Sequence, residues 1–234
     1  MISEKDFANR TKVLRERLIE LCVSCGREPS EVKLLPVTKR WPAEVVRMAV
    51  RAGFSSVGEN RVSEALEKME EVEESVEWEL IGHLQSNKAK WIPGKFSRAQ
   101  SVDSAKLLRR LDAAAEEDGL ILRVLLQVNA GEDPAKFGVL PAEAPALLEV
   151  AMSCANLKVE GLMTIAPFAP DEPEVARSAF ERLGTLRDDL ETRLSASLPE
   201  LSMGMSGDLE DAIRAGSTMI RVGSALFGER PPVG

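Results

Sequence analysis

The sequence predicts an α/β fold: a single (β/α)8 TIM-type barrel with an extra N-terminal helix, residues 1–234 forming one domain. Three observations predict it. Short apolar runs alternate with amphipathic helical patterns eight times, within the size range of such a barrel. The apolar runs are nearly continuous, as in strands of a parallel sheet covered on both faces. The last two units end in matching turns, Met205-Ser206-Gly207-Asp208 and Val222-Gly223-Ser224-Ala225, which favours a closed barrel over the competing doubly wound open sheet.

The elements follow in order. Residues 3–25 carry Phe7, Val13, Leu14, Leu18, Leu21 and Cys22 at helical spacing, with Gly26 and Pro29 as stop signals. "VKLLPVTK" reads as a buried strand and Pro42 to Ala52 as its helix. "SSVGEN" is a strand before the charged helix "RVSEALEKMEEVEE", and "VEWELIGH" a strand before the helical "SNKAKWIP". "RAQSVD" leads to "SAKLLRRLDAAAEED"; "LILRVLLQVN" leads through the loop "AGEDPAKFG" to "PAEAPALLEVAMSCA". "KVEGLMTIAPF" precedes a long helix from Pro173 to Ser197. "ELSMGM" precedes "DLEDAIRAG", and "TMIRVGSALFG" is the last strand and its turn. The charged run Glu67 to Glu79 reads as a solvated helix face and loop.

Composition narrows the function. A net charge of −8 gives nucleic acid or an anionic membrane no electrostatic purchase, so neither is an expected partner. No apolar run reaches spanning length and "MISEKDFANR" lacks a signal-peptide core. With only three cysteines, a cytoplasmic setting is expected. Cys22 and Cys25 have C-x-x-C spacing, but they sit inside a helical pattern without a second ligand pair, so no metal site is expected. His83 is the single histidine, which rules out His-rich metal sites and any Ser-His or Cys-His chemistry that does not use it.

In such a barrel function gathers in the loops at the C-terminal strand ends. The polar residues there are Lys39, Glu59, Asn60, His83, Gln85, Ser86, Asn87, Asp103, Gln127, Asn129, Thr164, Ser206, Arg221 and Ser224. Glycine lets a phosphate approach the backbone, a helix start offers N–H donors, and serine adds a hydroxyl. Ser206-Gly207 and Gly223-Ser224 lie in the loops after strands seven and eight, where barrel phosphate sites recur. Taken singly, each reads first as a strand-to-helix turn with serine as N-cap, and it is the pair in adjacent units that points to phosphate; Asp208 places negative charge beside the first. Lys39 closes a buried strand, where partial desolvation favours the neutral amine that attacks an aldehyde. A nucleophilic lysine opposite a phosphate clamp suits pyridoxal 5'-phosphate (PLP), with Arg221 facing the pyridine nitrogen. An ion pair to a mouth carboxylate such as Glu59 is the competing role for Arg221.

These residues sit in blocks that closely resemble the pyridoxal phosphate homeostasis protein family. The blocks are "VTK", "GEN", "IGHLQSNK", "SVDS", "LLQVN", "KFG", "EGLMTI", "LSMGMSGD" and "AIRAGSTMIRVGSALFG", spanning about residues 33 to 228. The resemblance implies a barrel like the N-terminal domain of alanine racemase and a Schiff base between PLP and Lys39. It implies phosphate binding by Ser206, Gly223 and Ser224, Arg221 at the pyridine nitrogen, Asn60 near the cofactor and His83 beside the ring. It implies a part in PLP homeostasis, without an established catalytic reaction. Arg40, Trp41 and Pro42 are bulkier than the usual start of their loop and are expected to alter the mouth beside Lys39.

A PLP-dependent amino-acid racemase-like enzyme is the main alternative. Racemisation needs a proton donor on each face of the substrate, and related enzymes use the lysine and a tyrosine from a second domain. This sequence has no tyrosine and is expected to have no second domain, leaving His83 as the remaining base. A reversible carrier is therefore expected, handing PLP to apo PLP-dependent enzymes, as a monomer. Lys136 is a second amine near the mouth, read first as a solvated loop lysine. A sugar-phosphate barrel without PLP is the third class.

Overall fold

A computed structural model describes residues 2–169 and 171–229. Eight parallel strands run β1 (Lys33–Pro36), β2 (Ser56–Glu59), β3 (Glu77–Leu80), β4 (Arg98–Val102), β5 (Leu122–Gln127), β6 (Leu157–Met163), β7 (Glu200–Ser202) and β8 (Met219–Val222). Their spatial order is β1-β8-β7-β6-β5-β4-β3-β2. The two ends of this row meet. Val37 bridges Gly58, and the Thr38 N–H donates to the Gly58 carbonyl at 3.1 Å, closing the barrel between β1 and β2.

The helices are α1 (Glu4–Ser24), α2 (Ala43–Arg51), α3 (Val62–Glu71), α4 (Ala105–Glu117), α5 (Ala144–Met152), α6 (Pro173–Leu194), α7 (Leu209–Arg214) and α8 (Ser224–Phe227). They form where the apolar spacing predicts them. In α4, Leu107, Leu108, Leu111, Ala114 and Ala115 form one buried stripe, and the Ser104 hydroxyl caps its start by accepting the Leu107 N–H.

Four readings differ from expectation, the first being the charged run Glu67 to Glu79, where Lys68, Trp78 and Glu79 are buried and Glu77–Leu80 is β3, so the run is not a solvated face and loop throughout. The connection after β3 is a 3₁₀ segment, Ser86–Trp91, followed after Ile92 by Pro93 and by Gly94 at φ +69, which stop it from continuing. α6 stops at Leu194, with Ser195 left-handed at φ 50, ahead of the expected Ser197; Pro199 restricts the residue before it. The segment after β8 is a one-turn helix rather than a plain turn.

Strand alternation divides the interior in two. Trp78 and Leu80, Ala99, Leu201 and Met203, and Ile220 and Val222 face outward into the main core under the helices. Their neighbours Glu79, Gln100, Ser202, Met219 and Arg221 face the barrel axis and are all buried. Near them Leu35, Val37, Ile81 and Met219 make a small apolar plug.

α1 packs on α7 and α8 outside the barrel. Phe7 stacks on Phe227 with centroids 5.4 Å apart, and Trp41 tilts against the same ring at 6.0 Å. This answers the concern over Trp41: its bulk goes into the outer core, not the mouth. Cys22 is fully buried on the packing face of α1, and burial pushes its thiol pKa up, the reverse of what a metal-ligating or redox thiol needs. Among the described residues no helix is long and apolar enough to cross a membrane.

Candidate functional site

The C-terminal ends of the strands open onto a cavity of about 510 Å³. Lys39, Asn60, His83, Ser206, Arg221, Gly223 and Ser224 all line it, together with Gln127 and Lys136. The barrel thus brings together every residue expected to bind the cofactor, from five separate strand ends.

Lys39 is half-buried in a tight turn. The Trp41 N–H closes that turn on the Thr38 carbonyl at 3.1 Å, and Arg40 takes a left-handed φ of 64. A buried network sits behind it. Lys68 donates to the Thr38 carbonyl at 2.8 Å, to Glu59 Oε1 at 2.6 Å and to Glu64 Oε1 at 2.8 Å. The Thr38 hydroxyl donates to Glu59 Oε1 at 2.6 Å, and the Arg40 N–H donates to Glu64 Oε1. Both residues flanking Lys39 are therefore anchored. Burial pushes the Glu59 carboxyl above its ordinary range, against the opposing pull of Lys68.

Opposite lie the two Ser/Gly turns. Gly204, at φ +92, enters the first, where a Cβ would overlap Ala212. The Ser206 hydroxyl accepts the Ala225 N–H at 3.3 Å, joining the turn after β7 to the start of α8. Asp208 accepts the Met205 N–H at 2.5 Å, so its carboxylate closes its own turn; it is absent from the cavity lining. The backbone at Gly223 has φ −117, outside the left-handed region that calls for glycine, and a Cβ there would meet nothing nearer than 3.7 Å. At Gly207 a Cβ would meet nothing within 4 Å. Neither strain nor packing requires these two glycines; what they preserve is open space.

Arg221 is 4 % exposed. Nη1 donates to the Ser202 carbonyl at 2.7 Å and hydroxyl at 2.8 Å, and Nη2 to the Thr164 carbonyl at 2.7 Å. Its acceptors are neutral, and Glu59 is engaged with Lys68, so the ion pair considered from sequence does not form. Desolvation pulls the Arg221 pKa down to about 10, Asp208 opposing it. The guanidinium still stays charged at neutral pH.

His83 stands at the rim. Nδ1 is 3.4 Å from Asp103 Oδ2, and the ring stacks on Phe137 with centroids 3.9 Å apart. Burial raises the Asp103 pKa, with His83 the main opposing influence. Gly82 lets this strand end press against β2: a Cβ at that position would overlap the Asn60 carbonyl.

The other polar strand-end residues tie loops. Gln127 donates to the Phe137 carbonyl at 3.1 Å, and Asn129 exchanges hydrogen bonds with Asp133. The Thr164 hydroxyl donates to the Val128 carbonyl at 2.7 Å. Gln85, Ser86 and Asn87 do not line the cavity. Sequence reasoning missed Phe137, although "KFG" placed it beside Lys136. It also missed Lys68, whose i,i+4 spacing from Glu64 was visible but whose reach to Glu59 was not.

A family model described as the alanine racemase N-terminal domain matches residues 23–231, so the barrel is a domain of that family. A curated relative from Aquifex aeolicus (strain VF5), named pyridoxal phosphate homeostasis protein, is 41% identical over 92% of this chain and 94% of its own length. PipY of Synechococcus elongatus PCC7942, solved with PLP bound, is 36% identical with a TM-score of 0.84, over 95% of this chain and all of that one. The chain belongs to the pyridoxal phosphate homeostasis protein family. Alanine racemase of Clostridium difficile 630 shares the fold at 15% identity and a TM-score of 0.75, over 93% of this chain and 57% of that one.

Proposed function

We propose that this protein binds PLP as a Schiff base on Lys39 and acts in PLP homeostasis as a reversible carrier, working as a cytoplasmic monomer that supplies apo PLP-dependent enzymes. One observation carries the reading: a single cavity joins the anchored Lys39 turn to two Ser/Gly turns whose glycines keep space that a Cβ would fill. The donor set suits the group. The Ser206 and Ser224 hydroxyls and the backbone at Gly207 and Gly223 would hold a phosphate. Arg221 would face the ring nitrogen, Asn60 and His83 the ring, and Lys39 the aldehyde. PLP when bound supplies an electrophilic aldehyde and an electron-withdrawing ring.

The residues argue for holding over turnover. A charged Arg221 would donate to the ring nitrogen and so keep it unprotonated, which would weaken the ring as an electron sink. The His83–Asp103 pair at the cavity edge supports the second reading, a racemase-like enzyme with His83 as base. Adding PLP to purified protein tests both. A yellow absorption band that borohydride removes, and that Lys39→Ala abolishes, is expected. Transfer of PLP to an apo-enzyme without turnover of amino acids supports the carrier; turnover lost with Lys39→Ala supports the enzyme. A protein that stays colourless overturns the PLP reading in favour of a sugar-phosphate barrel.

A further inference from the structure

The barrel axis holds a polar column that ends at the cavity. Arg221 Nη1 donates to the Ser202 hydroxyl at 2.8 Å, and that hydroxyl donates to Gln100 Oε1 at 2.6 Å. Gln100 Nε2 then donates to Glu79 Oε2 at 2.7 Å, which lies 3.8 Å from Arg98 Nη1. Ser202 and Gln100 are wholly buried, and Glu79, Arg98 and Arg221 are at most 4 % exposed. From Arg221 to Glu79 the row is joined by direct side-chain hydrogen bonds, and these four residues come from β8, β7, β4 and β3.

Donor and acceptor counting gives the column a direction. A guanidinium only donates, so Arg221 takes a lone pair of the Ser202 hydroxyl and turns its proton to the Gln100 amide oxygen, which leaves the amide nitrogen to Glu79, a carboxyl that burial holds above its ordinary range. Reversing the amide would point the hydroxyl proton at the guanidinium and the amide oxygen at the carboxylate. The arrangement therefore has one favourable sense, and its upper end, with the Ser202 and Thr164 carbonyls, sets where the Arg221 guanidinium lies. Met219 Sδ, 3.1 Å from Gln100 Nε2, packs the amide in place.

We propose that Ser202 and Gln100 are positioning residues for the ring nitrogen of bound PLP, acting through Arg221. This rests on the PLP reading of the cavity. Neither side chain lines the cavity, so both act on the ligand only through the guanidinium they orient.

A pair of ligands separates this from general support of the fold. PLP is compared with its carbocyclic analogue, in which C–H replaces the ring nitrogen and the aldehyde and phosphate are unchanged. Equilibrium titrations are run on the wild type, Ser202→Ala and Ser202→Thr. The wild type is expected to prefer PLP by about tenfold, the worth of one hydrogen bond to a charged group. Ser202→Ala is expected to lose about that factor for PLP and little for the analogue, so the preference disappears. Ser202→Thr keeps the hydroxyl and restores it. If Ser202→Ala does not fold, Gln100→Met is measured in the same way. Equal losses for both ligands, or no loss for either, overturn the proposal. A wild type that binds neither ligand overturns the PLP reading itself, an outcome seen before any variant is made.

Discussion

Replacing Gly223 by alanine separates binding from folding. The backbone at φ −117 lies outside the left-handed region that calls for glycine, and the added methyl would meet nothing closer than the Val37 carbonyl at 3.7 Å. Folding stability should change by no more than about 0.5 kcal/mol, and loss of glycine's unfolded-state freedom pushes the change toward stabilisation. The same methyl occupies the space assigned to a phosphate oxygen. Displacing that oxygen from a pair of hydrogen bonds, each worth about 1.5–3 kcal/mol to a charged acceptor, weakens PLP binding by roughly two orders of magnitude or more. Thermal or urea unfolding of the ligand-free protein reads the first quantity, and PLP titration at the absorption band the second. Gly207→Ala, with no atom within 4 Å of its Cβ, provides a parallel test in the facing turn. A Gly223→Ala protein that unfolds like the wild type and binds PLP as tightly refutes the reasoning, because the open space would then have no occupant.

Two further outcomes are expected. Lys68→Met strands the Glu59 carboxylate, which is wholly buried, and should cost about 3–5 kcal/mol by denaturant titration near neutral pH. Glu59 already has a raised pKa, so the folded state holds its proton more tightly than the unfolded chain does. Its stabilising contribution is therefore present in acid and lost as pH rises through the folded value. Removing the Lys68 ammonium raises that value further, so the deficit of Lys68→Met should shrink on acidification toward about pH 5 and widen toward about pH 8; a deficit independent of pH contradicts the network. Phe137 is 57 % exposed and covers His83, so Phe137→Ala should leave the unfolding midpoint nearly unchanged while PLP dissociates several-fold faster in a stopped-flow chase; an unaltered rate removes Phe137 from the site.

The barrel was legible because strands buried on both faces write themselves as apolar runs, and eight of them alternate with helical stripes. That Lys39, Asn60, His83, Ser206, Arg221, Gly223 and Ser224 share one cavity was legible because parallel strands bring all their C-terminal ends to one rim. What stayed hidden depends on side-chain direction across distant segments. Glu59 and Asn60 are adjacent, yet the first turns to Lys68 and the second lines the cavity. Alternation along a strand says that they part company but not which neighbour each meets. The column from Glu79 to Arg221 joins β3, β4, β7 and β8, so no local spacing displays it. The Phe137 stack depends on the path of its loop, which returns to pair Val139 with Val128.

The central claim is that the amine at position 39 carries the cofactor. Mass spectrometry of peptides, after PLP loading and borohydride reduction, tests it most directly. The account predicts a single reduced adduct on the peptide containing Lys39, absent from Lys39→Ala. An adduct confined to Lys136 or another lysine, or no adduct at all, contradicts it.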